Sequence, residues 1–272
     1  MRRRDVLRAG AGLVGAGVGA TALGSGASDD GADAYEPLGF VAVEGAKEVV
    51  VEGTTAYLAT TDGIAVVDVA DPENPSVVAE REEVLADRDG GPLTDIWDVK
   101  VDGDTLLAVG PANGGEALSG VAVFDVSDPA KPSLSGVHET QYPIHNAFLA
   151  DGVAYLTGND GDRNPLVTVD VATTTELGRW SLLDANPAYA DVNQGLRTVH
   201  DVFVNGDRAY LAHWDAGTWI LDVSDPADPA YVAATFQQNA AQLADAPANE
   251  GLQLPGNAHY VAVDDAAELL AV

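Results

Sequence analysis

The sequence predicts an all-β fold built from a repeated unit of four antiparallel strands. Five segments align without gaps at a period of about 50 residues. Each is followed by a tight turn and a second strand, and in four units by a third strand that ends in Asp-Val. Four-stranded units at this period are typical of β-propeller blades, whereas a β-helix has shorter repeats and a β-sandwich does not repeat its sequence.

The first two strands of each unit form a predicted β-hairpin. An Asn-Gly, Asp-Gly or similar turn separates the starting position from a large apolar residue ten positions later, which is the pattern of a tight hairpin. The five units begin at Lys47, Trp97, His145, His200 and His259.

A third and a fourth strand complete four of the units. The third strands lie at 64–69, 121–126, 166–171 and 218–223. Three of them run into a turn bracketed by prolines, at 71–75, 128–132 and 225–229, and the turn at 173–176 lacks the prolines. The fourth strands are expected at 77–79, 133–137, 177–181 and 231–235.

The residue motifs of the repeat resemble those of a known family. Val-Val-Asp-Val at 66–69 and Ile-Leu-Asp-Val at 220–223 precede Asp-Pro-x-x-Pro turns. This resembles the LVIVD-repeat β-propeller family, in an exported protein of haloarchaeal type. The resemblance covers about residues 38–272 and implies the propeller fold. It implies no activity, because the members of the family share none.

The two ends of the repeat differ from the middle. Residues 38–43 match the closing strand of a blade, and the sequence stops inside the second strand of the fifth unit. We therefore expect four complete blades plus partial ones, as in a truncated ring of six to eight blades, with apolar surface exposed at the C-terminal edge. The alternative is a five-bladed ring that lacks one strand.

The N-terminus has the pattern of an export signal. Arg2, Arg3 and Arg4 precede a stretch of small residues at 9–27, which is typical of secretory signals, and paired arginines resemble the signal for export of folded proteins. We expect a signal peptide at 1–27, a linker at 28–37 and the propeller at 38–272, in a protein located outside the cell or at its surface. No stretch is apolar enough for a stable membrane span.

The composition restricts the possible partners. The formal net charge is −30, with 43 Asp and Glu against 13 Lys and Arg, while 46% of residues are hydrophobic. Such a negative field repels phosphates and argues against nucleic acid. Concentrated salt would screen the repulsion, so we interpret the chain as salt-adapted, or halophilic, with an acidic surface. The chain has no cysteine, which excludes disulfides and a lipid-anchored cysteine.

One face of the propeller is predicted to bind a partner. The connections on one face are tight and uniform, whereas those on the opposite face are long and all different. Variable loops on a rigid scaffold mark a binding face. The residues predicted there are Trp97, His145, His200, His213, Trp214, Asp215 and His259.

Three histidines are candidate metal ligands. His145, His200 and His259 share the first position of consecutive innermost strands and should surround the mouth of the central channel. Three neutral imidazoles could hold Zn, Cu or Fe(II), with Asp201 as a possible acid or base. The alternative is that these histidines have a structural hydrogen-bonding role.

A second, weaker metal pattern lies at 159–162. Asp160 and Asp162 could ligate Ca²⁺, although the spacing lacks the complete twelve-residue calcium loop. In a chain this acidic, a solvated loop is the competing interpretation.

Two functions are compatible with these observations. The first is an exported binding or interaction scaffold whose long-loop face engages a protein or a glycan. The second is a metal-dependent propeller enzyme, a hydrolase or an oxidase, with the histidine cluster at the channel mouth. No nucleotide-binding, Gly-x-Ser-x-Gly or His-Glu-x-x-His motif favours an enzyme.

Overall fold

Four-stranded antiparallel sheets, with their strands in sequence order, build the fold and confirm the predicted all-β repeat. The computed structural model describes residues 36–114, 118–247, 250–252, 257–264, 266 and 268–272. The predicted signal peptide and residues 28–35 of the predicted linker lie outside this part of the chain. Residues 38–272 form one compact unit.

The four sheets correspond to the four complete predicted blades. Blade 1 contains β1 (Ala46–Glu52), β2 (Thr55–Thr60), β3 (Gly63–Asp68) and β4 (Ser76–Glu82). Blade 2 contains β5 (Asp98–Asp102), β6 (Thr105–Gly110), β7 (Ser119–Asp125) and β8 (Ser133–Thr140). Blade 3 contains β9 (Ile144–Ala150), β10 (Val153–Gly158), β11 (Leu166–Asp170) and β12 (Thr175–Trp180). Blade 4 contains β13 (Asp201–Asn205), β14 (Arg208–Ala212), β15 (Thr218–Asp222) and β16 (Ala230–Thr235).

The remaining elements are short. A two-stranded sheet of β17 (Ala262–Val263) and β18 (Leu270–Ala271) follows blade 4. The helices α1 (Leu182–Ala185) and α2 (Ala240–Ala244) and the 3-10 turns Pro187–Asp191, Gln194–Arg197 and Glu250–Leu252 lie in the connections after blades 3 and 4. Among the described residues, none of the helices has the length and apolar character needed to cross a membrane.

The first strand of each blade is the innermost one. β1 packs against β5, β5 against β9, β9 against β13 and β13 against β17. The starting positions that align in sequence are therefore neighbours in space. The number of blades in a closed ring stays a prediction.

The hydrophobic core lies between successive blades. Tyr57 and Ile64 of blade 1 share one cluster with Leu106 and Phe124 of blade 2. Equivalent clusters join blades 2 and 3, and blades 3 and 4. Strands with two apolar faces can bury both faces only when another sheet covers each of them, so stacking the blades completes the core.

Trp180 and Trp219 lie in the hydrophobic cluster between blades 3 and 4. They are 5% and 3% exposed. Their ring centroids lie 5.8 Å apart between blades 3 and 4. This tilted arrangement is favourable for two aromatic rings and contributes to the blade 3–4 interface.

The fourth strands pack closely against the turn of the next blade, which requires a small residue. A Cβ added to Gly178 in β12 would lie 2.4 Å from the carbonyl oxygen of Ala227 in the next Asp-Pro turn. A Cβ added to Gly39 would lie 2.3 Å from the carbonyl oxygen of Pro72. Residues 38–43 thus occupy, beside blade 1, the position of the fourth strand that the sequence pattern indicated. They form no ladder with the described strands.

A β-bulge recurs at the same point in all four blades. The pairing register between the third and fourth strands shifts at Val66/Val67, Val123/Phe124, Thr168/Val169 and Ile220/Leu221. A bulge adds one residue to a strand and increases the local twist. The outer edge of each blade is therefore bent in the same way, a feature that the sequence pattern did not reveal.

Hydrogen bonds also link the hairpin turns of successive blades. Glu52 accepts from the Gly103 N–H at 3.3 Å, and Asp102 accepts from the Asp151 N–H at 3.1 Å. Asn205 donates to the Asp264 carbonyl oxygen at 3.2 Å. The acidic turn residues of blades 1 and 2 thus hold neighbouring blades together in addition to carrying surface charge.

Apolar side chains are exposed at both ends of the row of blades. Phe40, beside blade 1, is 86% exposed, and Val49, in β1 of blade 1, is 54% exposed. Leu269 and Val272 are 72% and 63% exposed near β18. The apolar surface expected at the C-terminal edge is present.

Gly178→Ala should destabilise the propeller. The new Cβ would collide with backbone of the next blade, so we expect the unfolding free energy to fall by about 1–3 kcal/mol, as for other overpacked sites. Chemical denaturation measures this loss. The control is Gly195→Ala, whose added Cβ would approach no atom closer than 3.4 Å. Equal stability of the two variants would contradict the packing role of Gly178.

Candidate functional site

The aligned starting residues of the five units form a continuous row, here called the first-position row (Lys47, Trp97, His145, His200 and His259). The Lys47 Nζ lies 5.3 Å from the centroid of the Trp97 ring. The ring centroids are 5.9 Å apart for Trp97 and His145, 4.3 Å for His145 and His200, and 4.0 Å for His200 and His259. The structure thus brings the three candidate histidines into one stack.

Backbone carbonyls fix the tautomers of two of these imidazoles. His145 donates from Nδ1 to the Ala112 carbonyl oxygen at 3.1 Å, and His200 donates from Nδ1 to the His259 carbonyl oxygen at 2.7 Å. A carbonyl oxygen only accepts, so the proton resides on Nδ1 and the neutral ring keeps Nε2 as an acceptor.

The stack favours neutral histidines. Burial lowers the pKa of His200 to about 3, with further lowering from His145 and His259. Burial also lowers the pKa values of His145 and His259. A charge on one ring would be poorly solvated and would repel a charge on the next ring.

The residues that follow the first-position row form a second inner row (Glu48, Asp98, Asn146, Asp201 and Tyr260). Asp98 Oδ2 accepts from the Ala147 N–H at 2.7 Å, and Asp201 Oδ2 accepts from the Val261 N–H at 2.8 Å. The first bond crosses from β5 to β9, and the second crosses from β13 to the residue that precedes β17. These carboxylates therefore connect blades 2 and 3, and blade 4 with the segment that leads into β17.

Asp201, the candidate acid or base, is 7% exposed. Burial raises the pKa of its carboxyl to about 6, although the Val261 N–H favours the ionised form. A raised carboxyl pKa is a feature of both catalytic and structural buried groups. Here the hydrogen bond gives the side chain a structural role.

Lys100 in β5 is a buried cation beside the second inner row. Its ammonium group contacts Asp98 and lies 3.0 Å from Glu48. Burial alone would lower the pKa of Lys100, but the two carboxylates outweigh this effect and raise it. Burial raises the pKa of Asp98, and the lysine opposes that change. The lysine thus bridges blades 1 and 2.

A cavity of about 460 Å³ lies on the long-loop face beside the histidine stack. It is bounded by loops from blades 2, 3 and 4. The residues that line it are Ala112, Asn113, Pro143, His145, Asn159, Asn193, Gly195, Leu196, Thr198, His200, Trp214 and Gly251. Of the predicted binding-face residues, His145, His200 and Trp214 line this cavity.

Trp214 joins the stack to the cavity wall. Its ring centroid lies 5.0 Å from that of His200 and 5.1 Å from that of His259. Its Nε1–H donates to the Gly251 carbonyl oxygen at 3.2 Å, and its backbone pairs with Ala258. These contacts hold the indole in one position.

The loop at 159–164 is anchored to the segment at 192–199. Asn164 donates to the Gln194 carbonyl oxygen at 3.2 Å, and Asn159 donates to the Val199 carbonyl oxygen at 2.9 Å. Arg197 is 5% exposed and donates to the Asp162 carbonyl oxygen at 2.6 Å. The cavity wall is therefore held by side-chain bonds to backbone from both sides.

Asp160, one of the two calcium candidates, stabilises its own loop. Its Oδ1 accepts from the backbone N–H groups of Asp162, Arg163 and Asn164 at 2.8–2.9 Å. These bonds explain the local acidic pattern as a loop-forming arrangement. The calcium site at Asp160 and Asp162 stays a prediction.

His213 and Asp215 differ from their expected placement. The sequence assigned both to the binding face, but their side chains are 0% and 3% exposed because the loop folds them inward. His213 donates from Nδ1 to the Arg197 carbonyl oxygen at 3.2 Å, and burial lowers its pKa to about 4. Burial raises the pKa of Asp215. Both lie beneath the loop surface instead of on it.

Trp97 is on the first-position row but outside the cavity wall. It is 37% exposed, between Lys47 and His145. Sequence reasoning did not single out the cavity residues Asn113, Asn193 and Thr198. They lie in irregular connections where no repeat or motif marks them.

The described residues include no group of three or more His, Asp or Glu side chains placed to hold a metal ion. Two of the three candidate imidazoles use Nδ1 for bonds to backbone, and neighbouring imidazole rings pack in a tilted arrangement. The metal hypothesis for His145, His200 and His259 stays a prediction.

Comparisons with known proteins agree with the repeat and the fold. Residues 45–81, 117–140 and 196–234 match the LVIVD repeat. These segments fall in blades 1, 2 and 4. No curated protein sequence matches the chain.

Two solved structures have a similar fold. One is a functionally unknown protein from Desulfotomaculum acetoxidans DSM 771, with a TM-score of 0.55 and 12% identity over 85% of this chain and 63% of that one. The other is the β-propeller domain of Cps50 (Swd1) from Myceliophteria thermophila, with a TM-score of 0.54 and 12% identity over 85% of this chain and 62% of that one. The chain thus spans less than two thirds of the length of either structure.

The fold and the repeats together define the class of protein. It is a β-propeller, and segments in blades 1, 2 and 4 match the LVIVD repeat. At 12% identity, the structural similarity supports a shared fold and says nothing about a shared function.

Asp201→Asn should change how stability depends on pH. The carboxyl pKa rises from 3.8 in the unfolded chain to about 6 in the folded one. Its contribution is therefore complete below about pH 4 and is lost as the pH rises through about 6. The unfolding free energy of the variant, relative to the native chain, should rise by about 3 kcal/mol between about pH 4 and about pH 7.

Urea unfolding at constant ionic strength measures this difference. Asn205→Ala is the control, because it removes an inter-blade hydrogen bond without removing a titratable group. Its stability curve should run parallel to that of the native chain. A parallel curve for Asp201→Asn would show that the buried carboxyl has no raised pKa.

Proposed function

We propose that the protein is an exported, salt-adapted β-propeller that acts as a binding scaffold, and that its partner docks at the cavity on the long-loop face. The cavity is the observation that carries this proposal. It is of the size typical of ligand sites, about 300–1,000 Å³. It lies where the loops differ from blade to blade, and not among the uniform hairpin turns.

The rigidity of the cavity wall supports a binding role. Asn159, Asn164 and Arg197 tie two loops together through bonds to backbone carbonyls. Trp214 is held by Gly251 and by the histidine stack. A wall fixed before a ligand arrives loses little conformational entropy on binding.

Export and salt adaptation rest on the sequence. The basic start and the small-residue stretch at 1–27 support export. The net charge of −30 supports a salty environment, because screening reduces the mutual repulsion of the carboxylates. The general role of an interaction scaffold is also consistent with a fold that hosts many unrelated functions.

The metal-dependent hydrolase or oxidase remains the alternative from the sequence. It would use His145, His200 and His259 as ligands and Asp201 as acid or base. The geometry of these four side chains is explained by stacking and by bonds to backbone, so no specific observation favours the enzyme over the scaffold.

A bound partner should protect the long-loop face from hydrogen exchange. Probes that raise the melting temperature are selected from a panel of oligosaccharides and peptides, and exchange is measured with and without them. We expect slower exchange at 111–114 and 193–198, two segments that contribute residues to the cavity wall. The hairpin turns at 102–104, 151–153 and 205–207 serve as internal controls. Protection confined to those turns would place binding on the wrong face.

Stability should increase with salt. Raising KCl from about 0.1 M to about 2 M shortens the screening length from about 10 Å to below 3 Å and weakens repulsion among the carboxylates. We expect the melting temperature to rise by about 2–4 °C for each 1 kcal/mol gained. Sucrose at matched osmolality is the control, since it does not screen charge. An unchanged melting temperature in KCl would contradict salt adaptation.

A further inference from the structure

The cavity wall is uncharged in a highly charged protein. The chain contains 43 Asp and Glu and 13 Lys and Arg. None of these residue types is among the described residues that line the cavity. An ionic ligand would therefore find no charged side chain on the wall, and an anion would also be repelled by the net charge of −30.

The two histidines of the wall act as neutral acceptors. His145 and His200 each donate Nδ1–H to a backbone carbonyl, which leaves Nε2 with a free lone pair. Burial lowers both pKa values, so the rings stay neutral at physiological pH. The wall thus presents imidazole acceptors without adding charge.

Two amide side chains add an acceptor and a donor. Asn159 uses its Nδ2 on the Val199 carbonyl oxygen, and its buried Oδ1 has no hydrogen-bond partner among the described residues. Asn193 uses its Oδ1 to accept from the Gly195 N–H at 2.9 Å, which leaves its Nδ2 as a donor. A buried acceptor without a partner costs free energy, which a ligand donor recovers only if it reaches that atom.

Trp214 provides an aromatic surface at the same wall. Its polar Nε1–H is already bonded to Gly251, so the part of the indole that reaches the cavity is apolar. Flat aromatic surfaces pack favourably against the C–H faces of a ring that carries polar groups at its edge.

These features point to one ligand class. We propose that the cavity binds an uncharged sugar residue of a glycan, with Trp214 under the ring and the wall amides and imidazoles at its hydroxyls. This inference rests on the proposed binding function and names its ligand. A sugar ring carries several hydroxyls, each of which donates and accepts, and this matches a wall of mixed neutral acceptors and donors. A peptide unit offers only one backbone donor and one backbone acceptor.

Binding of defined probes tests the proposal. The probes are neutral trisaccharides of glucose, mannose and galactose, the matching uronic acid trisaccharides, and an uncharged peptide of Gly, Ser, Asn and Gln. Calorimetry at pH 7.5 in about 2 M KCl measures affinity. At least one neutral trisaccharide should bind, and its uronic acid counterpart should bind about tenfold or more weakly.

Variants locate the binding to the cavity. Trp214→Ala and Asn159→Ala should each weaken binding of the neutral trisaccharide by about tenfold, which corresponds to about 1.4 kcal/mol. Phe40→Ala is the matched control, because it removes an 86% exposed aromatic ring outside the cavity wall. It should leave the affinity unchanged. Asn113→Ala gives a second readout, since Asn113 is exposed and the variant should fold if Trp214→Ala does not.

The possible results separate the two proposals. Equal affinity for uronic acid and neutral trisaccharides, or equal loss in Phe40→Ala and Trp214→Ala, would overturn the sugar site. Binding of the peptide alone, with exchange protection on the long-loop face, would overturn the sugar class and leave the scaffold function in place. If no trisaccharide binds and every binding probe protects only the hairpin turns, both proposals fail.

Discussion

The fold depends on hydrogen bonds that cross from one innermost strand to the next. The edge of each innermost strand that faces away from its own blade carries N–H groups that the blade cannot pair, and buried N–H groups need partners. Asp98 and Asp201 accept such groups from Ala147 and Val261. Burying a carboxylate is costly, and the bond offsets part of that cost. The blades are therefore joined near the axis by side chains as well as by the apolar clusters between them.

The same hydrogen bonds between blades also determine the chemistry of the candidate site. Asp98 and Asp201 each follow a member of the first-position row, so fixing one residue places the other. His145, His200 and His259 consequently stack with centroids about 4 Å apart. Close packing desolvates the three imidazole rings and lowers their pKa values, which makes this part of the row a neutral aromatic wall. An acidic protein thereby acquires an uncharged cavity on one face.

Much of this arrangement was predictable from residue order. The alignment that placed Lys47, Trp97, His145, His200 and His259 in one column also gives their order in space. The position of residues 38–43 followed from their likeness to a closing strand, and Gly39 makes the same close approach as Gly178. The recurrent bulge in the fourth strands was not predictable, because it depends on how the third and fourth strands twist around each other within a blade and no residue type marks it.

The sequence by itself determined the repeat, the blade and the column of inner residues, because hydrophobic alternation and turn chemistry act over a few residues. Only the tertiary structure decided which loop side chains face solvent. His213 and Asp215 look like surface residues in sequence, yet the loop buries both, while Asn113, Asn159 and Asn193 converge on one cavity from three separate connections. Such convergence depends on long-range packing between blades, and no local pattern encodes it.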